Sequence, residues 1–375
     1  MLEKLNCYVA RVSIFLVAVA LVAGMAGCDG DGYTPPSEDL QIWDWYDLDA
    51  VRNNLAGNHI LMNDLDSTAP GYEELASPTA NGGKGWQPIG TFTGSFDGQG
   101  YEIRDLHDAG LFGRVFPRGV IKDVGVVNAT VTGEWNVGSL AGENWGTVSN
   151  CYSSGNVTGD SRVGGLVGWN RGTVSNCYSS GNVTGDEGIG GLVGENWDIV
   201  SNCYSSGNVT GDENVGGLVG VNPAGTVSNS YSTGSVTGNS YVGGLAGGNY
   251  DGSVSNSYST ANVTGYSYVG GLLGANTGTM SDSYSTGSVT GVSWVGGLVG
   301  RNKAIVNNSF WDTETSGQAT SDGGIGKTIA EMKNINTFSG ARWNIISVAD
   351  PGIRNPSYIW NIVDGQTYPF LSWEP

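Results

Sequence analysis

Seven copies of one hexapeptide, set 26 or 27 residues apart, constrain this chain more than any other feature. The pattern runs Val137-Gly-Ser-Leu-Ala-Gly142 and Val163-Gly-Gly-Leu-Val-Gly168, then returns from Ile189, Val215, Val242, Val269 and Val295, with offsets of 26, 26, 26, 27, 27 and 26. A second pattern keeps register with it: Thr147-Val-Ser-Asn-Cys-Tyr-Ser-Ser-Gly-Asn-Val-Thr-Gly159 recurs from Thr173 and, varied, as far as Ser281 to Gly291. Units this alike must each pack on a neighbour like themselves. The stretches between glycines are three to six residues long, rich in β-branched side chains and without helical period, so a unit holds two or three short strands. That excludes helical repeats. A propeller blade needs four strands and about 40 residues, more than one unit supplies. The expected class is all-β: a parallel β-helix, a right-handed β-solenoid, with irregular N- and C-terminal caps.

Stacking coils at about 4.8 Å sets equivalent side chains above one another. Asn144, Asn170, Asn196, Asn222, Asn249, Asn276 and Asn302 share one position; Asn150, Asn176, Asn202, Asn229 and Asn256 share another, which passes to Asp282. Asn tolerates tight bends and its amide can bond the coils above and below, so both series read as corner ladders. Val163, Leu166, Val174 and Val183 with their equivalents read as inward, and the paired glycines after Val163 as the place where the backbone turns sharply. Cys151, Cys177 and Cys203 hold a slot that becomes Ser230, Ser257 and Ser283. An odd number of parallel side chains reads as free, buried thiols rather than a disulfide.

The N-terminus has the layout of a signal peptide: Lys4 and Arg11, an uncharged run from Val12 to Ala23, then Met25-Ala-Gly-Cys28. Small residues before a cysteine suggest lipidation at Cys28, with Met25 a departure from the usual leucine; an ordinary cleaved signal is the alternative. Cleavage before Cys28 would remove two of 16 basic and one of 35 acidic side chains, leaving a net charge near −20, so nucleic acid is not an expected partner. The expected organisation is a signal peptide over 1–27, a lipid tether over 28–40, a cap with irregular first coils over 41–109, the repeat solenoid over 110–310 and a second cap over 311–375. Within the first cap, Trp45 to Leu55 reads as helix and 67–85 as an inserted loop.

Gly110-Leu-Phe-Gly113, the Gly-Gly-Leu-Val-Gly repeats and the closing Trp360-Asn-Ile-Val-Asp-Gly-Gln-Thr-Tyr-Pro-Phe-Leu371 resemble bacterial and archaeal surface proteins built from GLUG motifs. The resemblance implies an extracellular or cell-surface protein. It brings neither catalytic residues nor an agreed activity.

For chemistry the chain offers little. With only His59 and His107, a Ser-His-Asp, Cys-His or metal centre has almost nothing to draw on. Asp322-Gly-Gly-Ile-Gly-Lys-Thr328 looks like a phosphate loop, but Ser321 stands where its first glycine belongs. Carbohydrate-active enzymes on this architecture use clustered acids with a nearby cation, for which Asp97, Glu102, Arg104, Asp105 and Arg114 are the candidates. Asp160, Asp186 and Asp212 recur beside Glu187 and Glu213, so stacking would gather carboxylates for calcium, or leave them to solvent. No other cofactor is implied. The residue before each hexapeptide is Asn136, Arg162, Gly188, Asn214, Tyr241, Tyr268 and Trp294. Tyr241, Tyr268 and Trp294 should form an outward row about 5 Å apart, with Tyr250 and Tyr266 near, either to hold sugar rings or to stiffen turns. The expected function is a lipid-anchored surface scaffold that binds a cell-surface polysaccharide or protein in adhesion or envelope structure; a polysaccharide lyase or glycoside hydrolase is the alternative.

Overall fold

The computed structural model describes residues 39–374; the leader and Cys28 lie outside them. Every coil-to-coil strand pair is parallel, and between repeats each advances by one repeat. Val148 pairs with Val174, which pairs with Val200, then Val227, Val254 and Met280, so identical side chains stack without slipping. The repeats build three faces. The first is an 11-stranded sheet from Leu40–Ile42 to Ile305–Asn307, and the second a nine-stranded sheet from Ile89–Phe92 to Val299–Asn302. Shorter strands, such as Tyr178–Ser179, Asn182–Thr184 and Glu187–Gly190, make the third. Leu166, Leu192, Leu218, Leu245, Leu272 and Leu298 fill the interior with no exposed surface, and the stacked valines surround them. Because each inward residue meets its own copy above and below, one good packing solution is repeated along the axis.

The two 27-residue intervals have one cause. From Asn196 to Ile199 and from Asn276 to Thr279 the corner takes three steps, whereas Asn222 to Thr226 and Asn249 to Ser253 take four, and the strands on either side stay in register. The paired glycines act differently from the expectation. Neither Gly164 nor Gly165 has positive φ. A Cβ on Gly164 would lie 2.1 Å from the Val167 carbonyl, and one on Gly165 2.2 Å from Ser179 Oγ. Close approach of backbone and side chains, rather than a left-handed turn, requires glycine there.

Asp44 caps the helix Trp45–Ala50 by accepting from Asp47 N at 3.0 Å, and a 3₁₀ turn follows over Val51–Asn53. Trp45 and Leu48 bury this helix against the first coils. The inserted segment is not simply loop: it forms short helices over Tyr72–Leu75 and Ala80–Gly83, with the Tyr72 ring 5.7 Å from Trp45. At the other end, Gly297 N donates to Thr320 O, and Ser321 Oγ and Asp322 accept from Leu298, Val299 and Asn302, so the 315–325 segment closes the last coil.

The remaining residues fold back along the side of the solenoid. Tyr152, Tyr178, Tyr204, Tyr231, Tyr258 and Tyr284 stack with ring centroids 4.8–5.0 Å apart and planes within 8°. Trp373 packs on Tyr204 and Tyr231, Trp360 on Tyr258 and Tyr284, and Trp343 on Tyr284 and Phe310. Together with Met332, Phe338, Ile362 and Leu371 they form a second hydrophobic core. Burial drives the Tyr258 and Tyr284 hydroxyls well above their usual pKa. Among the described residues no helix is long and apolar enough to cross a membrane.

Candidate functional site

The residue before each hexapeptide sits at a corner with a left-handed backbone. Its φ is 53° at Asn136, 55° at Arg162, 70° at Gly188, 56° at Asn214, 55° at Tyr241, 54° at Tyr268 and 53° at Trp294. Gly and Asn adopt this conformation cheaply; Tyr and Trp do not. Tyr241 and Tyr268 stack at 4.6 Å with planes 10° apart, and Tyr268 and Trp294 at 6.2 Å and 21°. Trp294 is 56% exposed and ends the row. Tyr266 is also exposed, one loop away.

Backbone conformation and ring stacking act in opposite directions on this row. A left-handed backbone costs a side-chain-bearing residue about 1–2 kcal/mol, so three such aromatics cost about 3–6 kcal/mol. Two ring pairs return about 1–3 kcal/mol. The same corner is filled by Asn136, Gly188 and Asn214 in three other coils and by Arg162 in a fourth.

Beside this row runs the outward line of the nine-stranded sheet: Arg114, Glu143, Trp169, Glu195, Val221, Gly248, Ala275 and Arg301 in successive coils. The charged residues of its first half, Arg114, Glu143 and Glu195, are all paired. Arg114 Nε lies 2.7 Å from Glu143 and Arg162 Nε 2.8 Å from Glu195; burial raises the Glu143 carboxyl, but the hydrogen bonds from Arg114, Trp145 and Asn136 and the Arg114 charge together leave it below its usual range. Its second half is small and neutral. Gly248 leaves room for the Tyr250 ring, a Cβ there lying 2.8 Å from it, and Tyr250 Oη donates to Asn214 Oδ1 at 2.8 Å. Burial pushes the Tyr250 hydroxyl up to about 12. At the far end the Arg301 guanidinium lies 5.5 Å from the Tyr268 ring and 5.6 Å from Trp294. The result is a shallow neutral floor with an aromatic wall, charged at each end.

The other candidates fall elsewhere. Asp160, Asp186 and Asp212 stack through their backbones, with Asp186 N to Asp160 O at 3.0 Å, but their side chains are exposed; among the described residues no three His, Cys, Asp or Glu side chains gather as a metal site. The candidate acids do not share a flank. Asp97 pairs with Lys122 on the 11-stranded sheet, Glu102 pairs with Arg104 and accepts from Tyr152 on the third face, Asp105 accepts from Asn128, and Arg114 pairs with Glu143 on the nine-stranded sheet. His59 is buried, which lowers its pKa, and its Nε2 lies 2.8 Å from Asn54 O. In the loop that resembles a phosphate site, Ile325–Lys327 is a strand and Lys327 pairs with Glu331.

Two features went unread in the sequence. The tyrosine ladder was hidden inside the repeat motif, and the corner after the buried Asn ladder gathers Trp145, Arg171 and Trp197. The Arg171 guanidinium lies 5.0, 4.6 and 4.8 Å from Trp145, Trp169 and Trp197. The signal was positional: each residue follows a ladder asparagine.

Fold and site define a repeat-built parallel β-solenoid with a solvent-facing aromatic row at one corner. The chain carries GLUG-motif repeats: the GLUG motif matches six consecutive units, residues 133–158, 159–184, 185–210, 211–237, 238–264 and 265–290. The hexapeptide from Val295 lies beyond them. Halomucin of Haloquadratum walsbyi is 36% identical over 141 residues, covering 33% of this chain and 2% of that one. A protein of Evansella cellulosilytica named as a Gly-rich membrane protein is 35% identical over 119 residues, covering 28% of this chain and 13% of that one. The chain therefore spans a small part of either relative's length. A Bacteroides ovatus crystal structure carrying the name of an immunoglobulin A1 protease aligns with 91% of this chain and 94% of its own, at 19% identity and a TM-score of 0.46.

Proposed function

We propose that this GLUG-repeat solenoid is a cell-surface scaffold that binds a neutral polysaccharide along the corner formed by Tyr241, Tyr268 and Trp294, in adhesion or envelope structure. One observation carries the reading: three successive coils place aromatic side chains at a left-handed corner that the other four give to Asn, Arg or Gly. Sugar rings pack on aromatic rings by apolar contact without charge. The exposed Trp294 indole, the small Val221, Gly248 and Ala275 beside the row, and Arg301 at its end suit an uncharged chain lying along the axis. The net charge of −19 disfavours an anionic polymer. The names of the two relatives, halomucin and a Gly-rich membrane protein, fit a surface setting. A lipid at Cys28 would hold the scaffold at the membrane through the acid- and proline-containing stretch from Asp29 to Asp39.

The test is to incubate the purified protein with a panel of polysaccharides and score both retained protein and new reducing or unsaturated ends. Saturable binding to a neutral polymer without new ends supports the scaffold; cleavage transfers the protein to the enzyme class, and no binding across the panel rejects the reading. The anchor is tested apart. Cys28→Ser should move the protein to the soluble fraction and abolish incorporation of labelled fatty acid.

A further inference from the structure

The face that carries the aromatic row begins, at its N-terminal end, in a notch made by missing chain. Asp108 pairs with Val131, and Phe112 pairs with Ala141. Four steps of one coil therefore stand beside ten steps of the next. The six missing residues leave Thr132 to Asn136 without a strand on that side among the described residues; the partners of this stretch all belong to the following coil, with Trp135 beside Ser161. What remains is a cavity of about 280 Å³, lined by Pro88, Phe112, Gly113, Trp135, Asn136 and Glu143.

Its chemistry is specific. The Trp135 indole is 65% exposed, and the equivalent residue in later coils is Ser161, Glu187, Glu213, Ser240, Ser267 and Ser293. The tryptophan thus appears only where the coil below is short. Asn136 donates through Nδ2 to Glu143 Oε1 at 3.1 Å, while its own Oδ1 is buried without a partner. Glu143 is held by Arg114 through two contacts, at 2.7 and 3.1 Å, so its charge is already answered. The notch therefore offers an apolar plane beside a neutralised carboxylate–guanidinium pair.

We infer that the notch is a second binding site, for one neutral pyranose unit of a glycan, with Trp135 under the ring and the Arg114–Glu143 pair beside it. The inference rests on the glycan reading above, and places a ring-sized site some six coils, about 29 Å, from Trp294 on the same face. An extended peptide is the competing occupant, because strand edges recruit strands. Here the flanking coil closes the edge at both ends, at Asp108 and Phe112. A compact ring fits such a space, whereas a strand must run through it.

The probes are neutral oligosaccharides of increasing length and, as the competing arm, short uncharged peptides, followed by Trp fluorescence and by saturation-transfer NMR. Trp135→Ser installs the residue that four later coils carry, so the fold and melting midpoint should hold while oligosaccharide affinity falls about ten-fold or more. Triple replacement of Tyr241, Tyr268 and Trp294 by Asn should leave sugar contacts to Trp135 in place. Loss of sugar binding in the triple variant with none in Trp135→Ser overturns the notch and keeps the row. The reverse keeps the notch and rejects the row. Saturable peptide binding that Trp135→Ser abolishes, with no sugar binding, also overturns the inference.

Discussion

Asn144 Nδ2 donates to Asn170 Oδ1 at 2.8 Å, one coil further along, and the same bond at the same length links each rung as far as Asn302. Five of the residues making these bonds inside the ladder, Asn170, Asn196, Asn222, Asn249 and Asn276, have no exposed surface. Buried amides bonded to their own copies fix the register of the coils, since a slip by one residue would leave every rung unpaired.

Replacing Asn222 by Ala should therefore cost more than a typical surface change. Asn222 accepts from Asn196 at 2.8 Å and donates to Asn249 at 2.8 Å and to Gly225 O at 2.9 Å. The substitution strands a donor on one side and acceptors on the other, at about 2–4 kcal/mol. A denaturation midpoint unchanged from wild type would show that water satisfies the ladder as well.

The ladder thiols should be silent in the folded protein. Cys151, Cys177 and Cys203 are free and buried, and burial drives the first two well above the usual thiol pKa. Cys151 N donates to Cys177 Sγ at 3.4 Å, just as Cys203 N donates to Ser230 Oγ at 3.1 Å, so a serine can replace the sulfur with the same contacts. Peptide mapping should find these three residues alkylated only after unfolding, and Cys203→Ser should melt within about 1 kcal/mol of wild type. Alkylation under native conditions would contradict the burial.

The C-terminal cap should loosen as pH rises. The Glu374 carboxyl, pushed up by burial to about 7 against an ordinary 4.5, lies by Tyr258, accepts from Leu371 N at 2.6 Å, and has Arg354 close. The unfolded chain releases this proton near 4.5 and the folded one near 7, so the stabilisation is whole below the first value and disappears as pH climbs through the second. Its size is about 3 kcal/mol at most. Glu374→Gln should flatten the pH dependence of cap unfolding, read by the Trp343, Trp360 and Trp373 fluorescence; a slope the same in both proteins would assign it to other groups.

The axial order of this molecule was legible because it is written many times over. Seven hexapeptides gave the coil, and the buried Asn144 series and the small slot of Cys151 and Ser230 could be read directly. The left-handed corners could have been read from Asn136, Gly188 and Asn214, but Tyr241 and Trp294 at the same position masked the conformation by breaking its usual residue preference. The side on which the C-terminal cap lies was not readable, because Tyr204 to Tyr284 look like part of the repeat until something packs on them. The candidate acids misled for a related reason: Asp97, Glu102 and Arg114 are close in sequence, and a coil that turns three times within one repeat sends neighbours to different faces.

The claim that the aromatic row serves binding at the expense of stability is tested most directly by one variant and two readings. Tyr241, Tyr268 and Trp294 are replaced together by Asn, the residue that Asn136 and Asn214 supply at this corner, and the thermal midpoint and polysaccharide retention are measured on the same preparation. The account predicts a midpoint equal to or above wild type, with retention along the row lost. A midpoint several degrees lower with retention unchanged would mean that the rings hold the corner together and that the polymer, if any, binds elsewhere.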